Sequence, residues 1–147
     1  MSPQLLSAVL IGGILAGALD IGAAALINRT DPVTILRFIA SGLIGPKALQ
    51  GGPPAAVLGF VLQLAIGVVI AAIYGVASLW LPVLATMWVP AGVAYGVGVY
   101  VVMTYVVLPL SAAPKGARRD VAKIGKDLLA MIGFGLIVAY AVHLAAL

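Results

Sequence analysis

The chain has 147 residues, of which 64% are hydrophobic and only 8% charged, a mixture that cannot cover a water-soluble globule. Cysteine is absent, which excludes disulfides, thiolate metal sites, covalently attached c-type haem and cysteine nucleophiles. The net charge of +4 is not the footprint of a nucleic-acid binder, because every Lys and Arg falls in one of two segments that connect apolar runs.

A hydrocarbon core about 30 Å thick needs roughly 20 apolar residues per helical span, so the chain is long enough for four spans with short connections. The first run, 5–27, contains one charged residue, Asp20. Nothing before Arg29 is basic, so this run lacks the positive amino-terminal region of a secretory signal and is expected to stay as a span. It ends at Asn28-Arg29-Thr30-Asp31-Pro32, where Asp31 is suited to cap a helix and Pro32 to open one. A short helix is therefore expected over 33–41. Ile35, Leu36, Ile39 and Leu43 fall near one of its faces, with Thr34, Arg37 and Ser41 away from it, so the helix is expected in the membrane interface.

Gly42, Gly45 and Pro46 end that helix, and Gly51-Gly52-Pro53-Pro54 launches a second span over 55–79, whose only strongly polar side chain at depth is Gln63. Gly67, Ala71 and Gly75 recur there every four residues and leave a groove for close helix contact. Residues 80–90 hold Trp80, Pro82, Trp88 and Pro90 without a charge, which suits a turn at the opposite interface. The third span, 91–110, carries Gly92, Gly96, Tyr100, Thr104 and Tyr105. Residues 112–126 then place Lys115, Arg118, Arg119, Lys123 and Lys126 against Asp120 alone, before a fourth span over 127–147. Asp120/Lys123 and Lys123/Asp127 have helical spacing, so this basic stretch is expected to lead helically into that span.

Three basic residues lie between spans one and two, five between spans three and four, and none elsewhere. By the positive-inside rule both segments are expected in the cytoplasm and both termini outside it. The expected fold is all-α: one transmembrane domain over 1–147, a four-helix membrane bundle with a short interfacial helix between spans one and two. Gly13/Gly17 and Gly92/Gly96 are alike, but Asp20 would align with Val99, so the pattern gives an internal duplication little support.

Asp20 is the most informative residue, because an ionisable side chain within a span is costly and turns toward the bundle interior or a cavity. Gly13, Gly17, Asp20, Ala24 and Asn28 share one helical stripe, so the carboxyl projects from a face of small residues. At 1.5 Å per residue Asp20 lies roughly 12 Å from the cytoplasmic end of span one, Gln63 roughly 13 Å into span two and Thr104 roughly 9 Å from the end of span three. These three groups are expected to meet at one level, joined by Tyr100 or Tyr105. Such a cluster has two readings: a site in which Asp20 holds a cation, a proton or a polar substrate, or an interhelical hydrogen-bond cluster in which a protonated Asp20 donates to Gln63 or a carbonyl. Model systems value bonds of the second kind at about 1 kcal/mol, enough to fix helix order without further activity, and the residues lean slightly toward it.

His143 stands near the outer end of span four, one turn from Tyr140. A lone His there reads as interfacial rather than as a metal or haem ligand, and a bis-histidine haem would need a second copy of the chain. Lys115, Arg118, Arg119, Lys123 and Lys126 read as a topology signal and an anchor to anionic lipid, at about 1 kcal/mol per basic residue near the surface. No phosphate loop, HExxH, GxSxG or paired-carboxylate motif occurs, and of the four acidic residues only Asp20 is expected at depth in the membrane, Asp127 standing at the first position of its span. No enzymatic activity and no cofactor are expected.

Ala18-Leu19-Asp20, Ile35 to Gly42, Val102-Met103 and Val106 to Ser111 resemble stretches of a group of uncharacterised bacterial four-span inner-membrane proteins, the YagU-like group. The resemblance covers roughly the first three spans. It implies the bacterial inner membrane and a polar cluster in which relatives carry His at the position of Gln63 and Asn at that of Thr104. This chain then lacks the titratable partner of Asp20, which argues against a proton relay or metal site and leaves a bound polar ligand or structural hydrogen bonding open. The first functional expectation is a non-catalytic accessory or interaction component that packs with lipid, with a membrane-protein partner or with copies of itself. The alternative is an oligomeric transporter of a small molecule, ion or proton around Asp20 and Gln63, and an intramembrane cofactor binder or enzyme comes third.

Overall fold

A computed structural model describes residues 2–27, 29–111 and 121–145, which form helices joined by short turns. Four of the helices are long and apolar enough to cross a membrane. They are α1 (Pro3–Ile27), α3 (Pro53–Trp80), α5 (Trp88–Val102) with its continuation, and α7 (Val121–Ala145). Between them lie α2 (Pro32–Ile44) with a 3₁₀ turn at Pro46–Gln50, and the single turn α4 (Val83–Thr86). Beyond Val102, α5 widens into a π-helical segment, Met103–Val107, before the last turn α6 (Leu108–Leu110). Pro109 offers no N–H to the Tyr105 carbonyl and its ring crowds that oxygen, so the widened turn stands where the regular ladder fails.

α1 and α7 form the centre of the bundle, with α3 packed on α1 and α5 on α7. Helices in lipid gain little from apolar burial and associate instead by close van der Waals contact, which small residues permit. Gly67 nests between two glycines of α1: a Cβ there would lie 2.5 Å from the Gly13 carbonyl oxygen and 3.5 Å from the Gly17 Cα. Gly135 nests in the same way on α5, where a Cβ would collide with the Gly92 carbonyl and lie 3.0 Å from the Gly96 Cα. The two hairpins thus share one packing device at equivalent positions, a likeness stronger than their sequences suggest. Their polar residues differ, since the positions of Asp20 and Gln63 in the first hairpin are those of Val99 and Met131 in the second. α1 meets α7 at Gly12, where a Cβ would stand 2.9 Å from that of Ala141.

The two ends of the bundle differ. Toward α4 the interior is solid: Leu5, Val9, Ala16, Ala71, Tyr74, Phe134, Val138, Ala139 and Val142 form one buried cluster. The polar side chains there are spent on carbonyls. Tyr74 donates to Leu84 O at 2.5 Å, Tyr95 to Ile70 O at 2.7 Å, and His143 Nδ1 to Ala85 O at 2.8 Å. Tyr74 and Tyr95 also meet edge to face, 5.0 Å between centroids, which ties α3 to α5 at this end.

At the other end α2 folds back onto α3. Asp31 caps it, accepting from the Thr34 N–H at 2.7 Å, and Pro32 opens it, as its sequence requires. Gly45, at φ 88°, takes a conformation open to glycine and ends it. The face that α2 buries differs from the expected one. Ala40 and Ser41 are fully buried, while Leu43 is 61% exposed. α2 touches α3 where Gly59 leaves room for the Leu36 backbone, and Ala40, Ala48 and Ala55 close a small second core with Leu58. Close approach selects small residues over large ones, and Ser41 can be buried because its hydroxyl donates to the Phe38 carbonyl.

Candidate functional site

Where α1, α3, α5 and α7 separate toward α2, the bundle leaves a partly open cavity of about 330 Å³. Its walls come from every long helix: Asp20 and Ala24 from α1, Gln63 and Ile66 from α3, Tyr100 from α5, Asp127 and Met131 from α7. Phe38, Ile39 and Gly42 of α2 cover it, and Thr104 of the π segment lines its side.

Gly17 sets the geometry of the polar wall. A Cβ there would lie 3.3 Å from the Gln63 carbonyl oxygen, so the absent side chain lets the α3 backbone come close. From that position the Gln63 carboxamide donates both ways, to Gly17 O and to Asp20 Oδ2, each at 3.1 Å. Two amide hydrogens and two acceptors thereby fix the orientation of the carboxamide and one oxygen of Asp20. Asp20, Gln63, Thr104 and Tyr100 line the one cavity, at the level that helical rise along the sequence suggests.

Tyr100 is 6% exposed, and its buried hydroxyl has no hydrogen-bond partner among the described residues. An unpaired buried hydroxyl costs about 1–3 kcal/mol, so this one asks for an explanation. Tyr105 does not join the cluster. It is 63% exposed and points out of the bundle, because five residues past Tyr100 a helix has turned well beyond the inward face that Thr104 shares.

The second carboxyl of the cavity is Asp127, a residue whose position in the sequence suggests the start of the fourth span and a helical partner for Lys123. α7 begins at Val121, so Asp127 is already inside the helix and one acidic residue per bundle interior is an undercount. A signal existed in the sequence: Asp127 stands seven residues, two helical turns, before Phe134, on the stripe that continues through Val138 and Val142. Of the five basic positions expected at lipid, Lys115, Arg118 and Arg119 lie outside the described residues, as does the side chain of Lys123. Lys126 is exposed.

His143 lies far from this cavity, against Trp88 and Tyr140, with ring centroids 6.0 and 6.3 Å away. Its Nδ1 carries the hydrogen given to Ala85 O. Compared with protein-family models, with curated proteins and with solved structures, the chain finds no match.

Proposed function

We propose that this chain is a multi-pass membrane protein that holds a small molecule in the cavity beneath α2, and that it does so without catalysis, as a carrier or receptor. Of the expectations that the sequence raises, the accessory component needs no cavity and the carrier needs one. The supporting observation is the cavity itself. Its volume of about 330 Å³ falls in the range of roughly 300–1,000 Å³ typical of small-molecule sites. Mostly apolar walls with a few convergent polar groups are also what such sites have.

The test is native mass spectrometry of the protein released from its own membrane. A small molecule retained by the wild type and lost from Ile66→Trp, which fills the cavity, is the expected result. Retention of lipid alone, or equal retention by Ile66→Trp, would end this reading.

The proposed setting is the bacterial inner membrane, inferred from the resemblance of the motifs in the first three spans and from the basic connections. In this orientation α2 faces the cytoplasm and α4 the outside. The chain has no cysteine, so single labels report without background. Lys47→Cys, exposed beside α2, should react only from the cytoplasmic side and Thr86→Cys only from outside; the reverse pattern would invert the topology.

A further inference from the structure

We propose that the cavity is loaded sideways from the lipid, through the seam between α3 and α5, and that it takes an uncharged amphiphile, an alcohol whose hydroxyl reaches Asp20 and Thr104 while its hydrocarbon chain lies along the seam. The inference rests on the cavity being a ligand site and adds the route and the chemistry of the ligand.

The seam is closed at one end only. Near α4 it is sealed where Tyr95 donates to Ile70 O at 2.7 Å and its ring meets that of Tyr74. Below that level α3 packs on α1 and α5 on α7, and among the described residues α5 and its continuation scarcely touch α3 or α2. Val102 shows the consequence. Seven residues, two helical turns, after Tyr95, it stands on the same face of α5, yet it is 50% exposed. On α3, Ile66 stands one turn before Ile70 and lines the cavity. The face by which α5 joins α3 near α4 thus opens onto the cavity below, at a depth where hydrocarbon surrounds the bundle.

This route selects the ligand. Exposed aliphatic side chains, Val102 and Val106, border it, and a charged molecule would have to shed its water to pass between them from lipid. A neutral molecule with a hydrocarbon chain passes, and inside it finds aliphatic walls like the lipid it leaves, among them Ile39, Ile66 and Met131. Its polar end is met at one level. Gln63 occupies Asp20 Oδ2, and Oδ1 has no hydrogen bond among the described residues. Thr104 stands on the widened turn, and its hydroxyl, which in a regular helix can bond back to a carbonyl one turn earlier, likewise has none among the described residues. Both residues keep accessible surface and both line the cavity, so a ligand reaches them. A hydroxyl gives one hydrogen bond and accepts others, which suits a carboxyl oxygen beside a second hydroxyl. An alkane chain satisfies neither group, and leaving them without a partner in hydrocarbon is costly.

The experiment uses the full chain in lipid nanodiscs, with 1-decanol carrying a diazirine at the far end of its chain as a photoreactive probe. Saturable labelling is expected on α3 and α5 along the seam, competed by plain 1-decanol and not by decane, decyl sulfate or sorbitol. Thr104→Val is expected to weaken competition by 1-decanol about tenfold, the worth of one hydrogen bond, without lowering the unfolding temperature of the empty protein. Asp20→Leu is expected to abolish it. Val102→Trp, which sets an indole in the seam, is expected to slow labelling several-fold. No saturable labelling of the wild type, equal competition by decane or decyl sulfate, or undiminished competition in both Thr104→Val and Asp20→Leu would overturn the alcohol. Equal competition by sorbitol, or labelling as fast in Val102→Trp as in the wild type, would overturn the route from lipid. Each of these results leaves the cavity as a site, whereas unchanged labelling of Ile66→Trp would remove the cavity too, and with it the preceding proposal.

Discussion

The Gln63 carboxamide nitrogen donates to Asp20 Oδ2 across 3.1 Å, a bond between residues 43 positions apart that ties α3 to α1 at the wall of the cavity. The same nitrogen reaches Gly17 O at 3.1 Å, so one side chain supports two acceptors. Gln63→Leu leaves both acceptors without this donor and is expected to destabilise the bundle by about 1–2 kcal/mol, read as a lower unfolding temperature in mild detergent. Asp20→Asn keeps an acceptor for Gln63 and should cost less than Asp20→Leu. In a double-mutant cycle of Gln63→Leu with Asp20→Leu, the coupling should be about 0.6–1.5 kcal/mol. Strict additivity would show that the bond contributes nothing to holding the helices.

Glycine positions separate packing from flexibility. A Cβ on Gly96 would lie 2.6 Å from the Ile132 Cα, a backbone atom that cannot step aside, whereas a Cβ on Gly98 meets nothing within 4 Å. Gly96→Ala is expected to force α5 from α7 at a cost of about 1–3 kcal/mol. Gly98→Ala should be neutral or stabilising by up to about 1 kcal/mol, because alanine has less backbone freedom to lose. Thermal unfolding of the two variants side by side checks this, and equal losses would place the glycine contribution elsewhere than in helix contact.

The four long helices were legible because length and apolar content mark a helix able to cross a hydrocarbon layer, and they match the expected runs to within a few residues at most ends. α7 is the exception, since it begins within the basic stretch, where helical charge spacing had indicated a helix but not a wall of the cavity. The shared level of Asp20, Gln63 and Thr104 was legible too, because helical rise converts position into depth. Depth alone does not give direction, which is why Tyr105 joined the expected cluster and Asp127 did not. The packing of α2 was misread for another reason. Hydrophobic patterning marks the face that avoids water, and α2 instead buries the small residues Ala40 and Ser41, which let two backbones meet at Gly59.

Three tyrosine hydroxyls lie within the bundle and differ in what they touch. Tyr95 donates to Ile70 O and links α5 to α3, so Tyr95→Phe should cost about 1 kcal/mol of stability. Tyr74 donates to Leu84 O beside α4, and Tyr74→Phe should cost a similar amount of about 1 kcal/mol. Tyr100 has no partner among the described residues, so Tyr100→Phe removes a buried polar atom that no bond compensates. Its unfolding temperature in the empty protein should equal or exceed that of the wild type. A loss as large as that of Tyr95→Phe would mean that Tyr100 already serves the fold.

The cap of α2 gives a pH dependence of known sign. The Thr34 backbone N–H, bonded to the exposed Asp31 carboxylate at 2.7 Å, holds that carboxyl below its ordinary value of 3.8. A carboxylate lowered by folding stabilises the folded form above its unfolded value, and the contribution disappears as pH falls through the lower, folded value. The first turn of α2 should therefore keep constant order from neutral pH down to about 4 and loosen below that. Exchange protection of the Thr34 amide, corrected for the intrinsic rate and measured in micelles, reports this turn directly. Asp31→Asn, which caps without titrating, should keep its protection into acid, and Asp31→Ala should lack it at every pH. Wild-type protection that stays flat below the carboxylate range, or that falls equally in Asp31→Asn, would show that something other than this cap orders the start of α2.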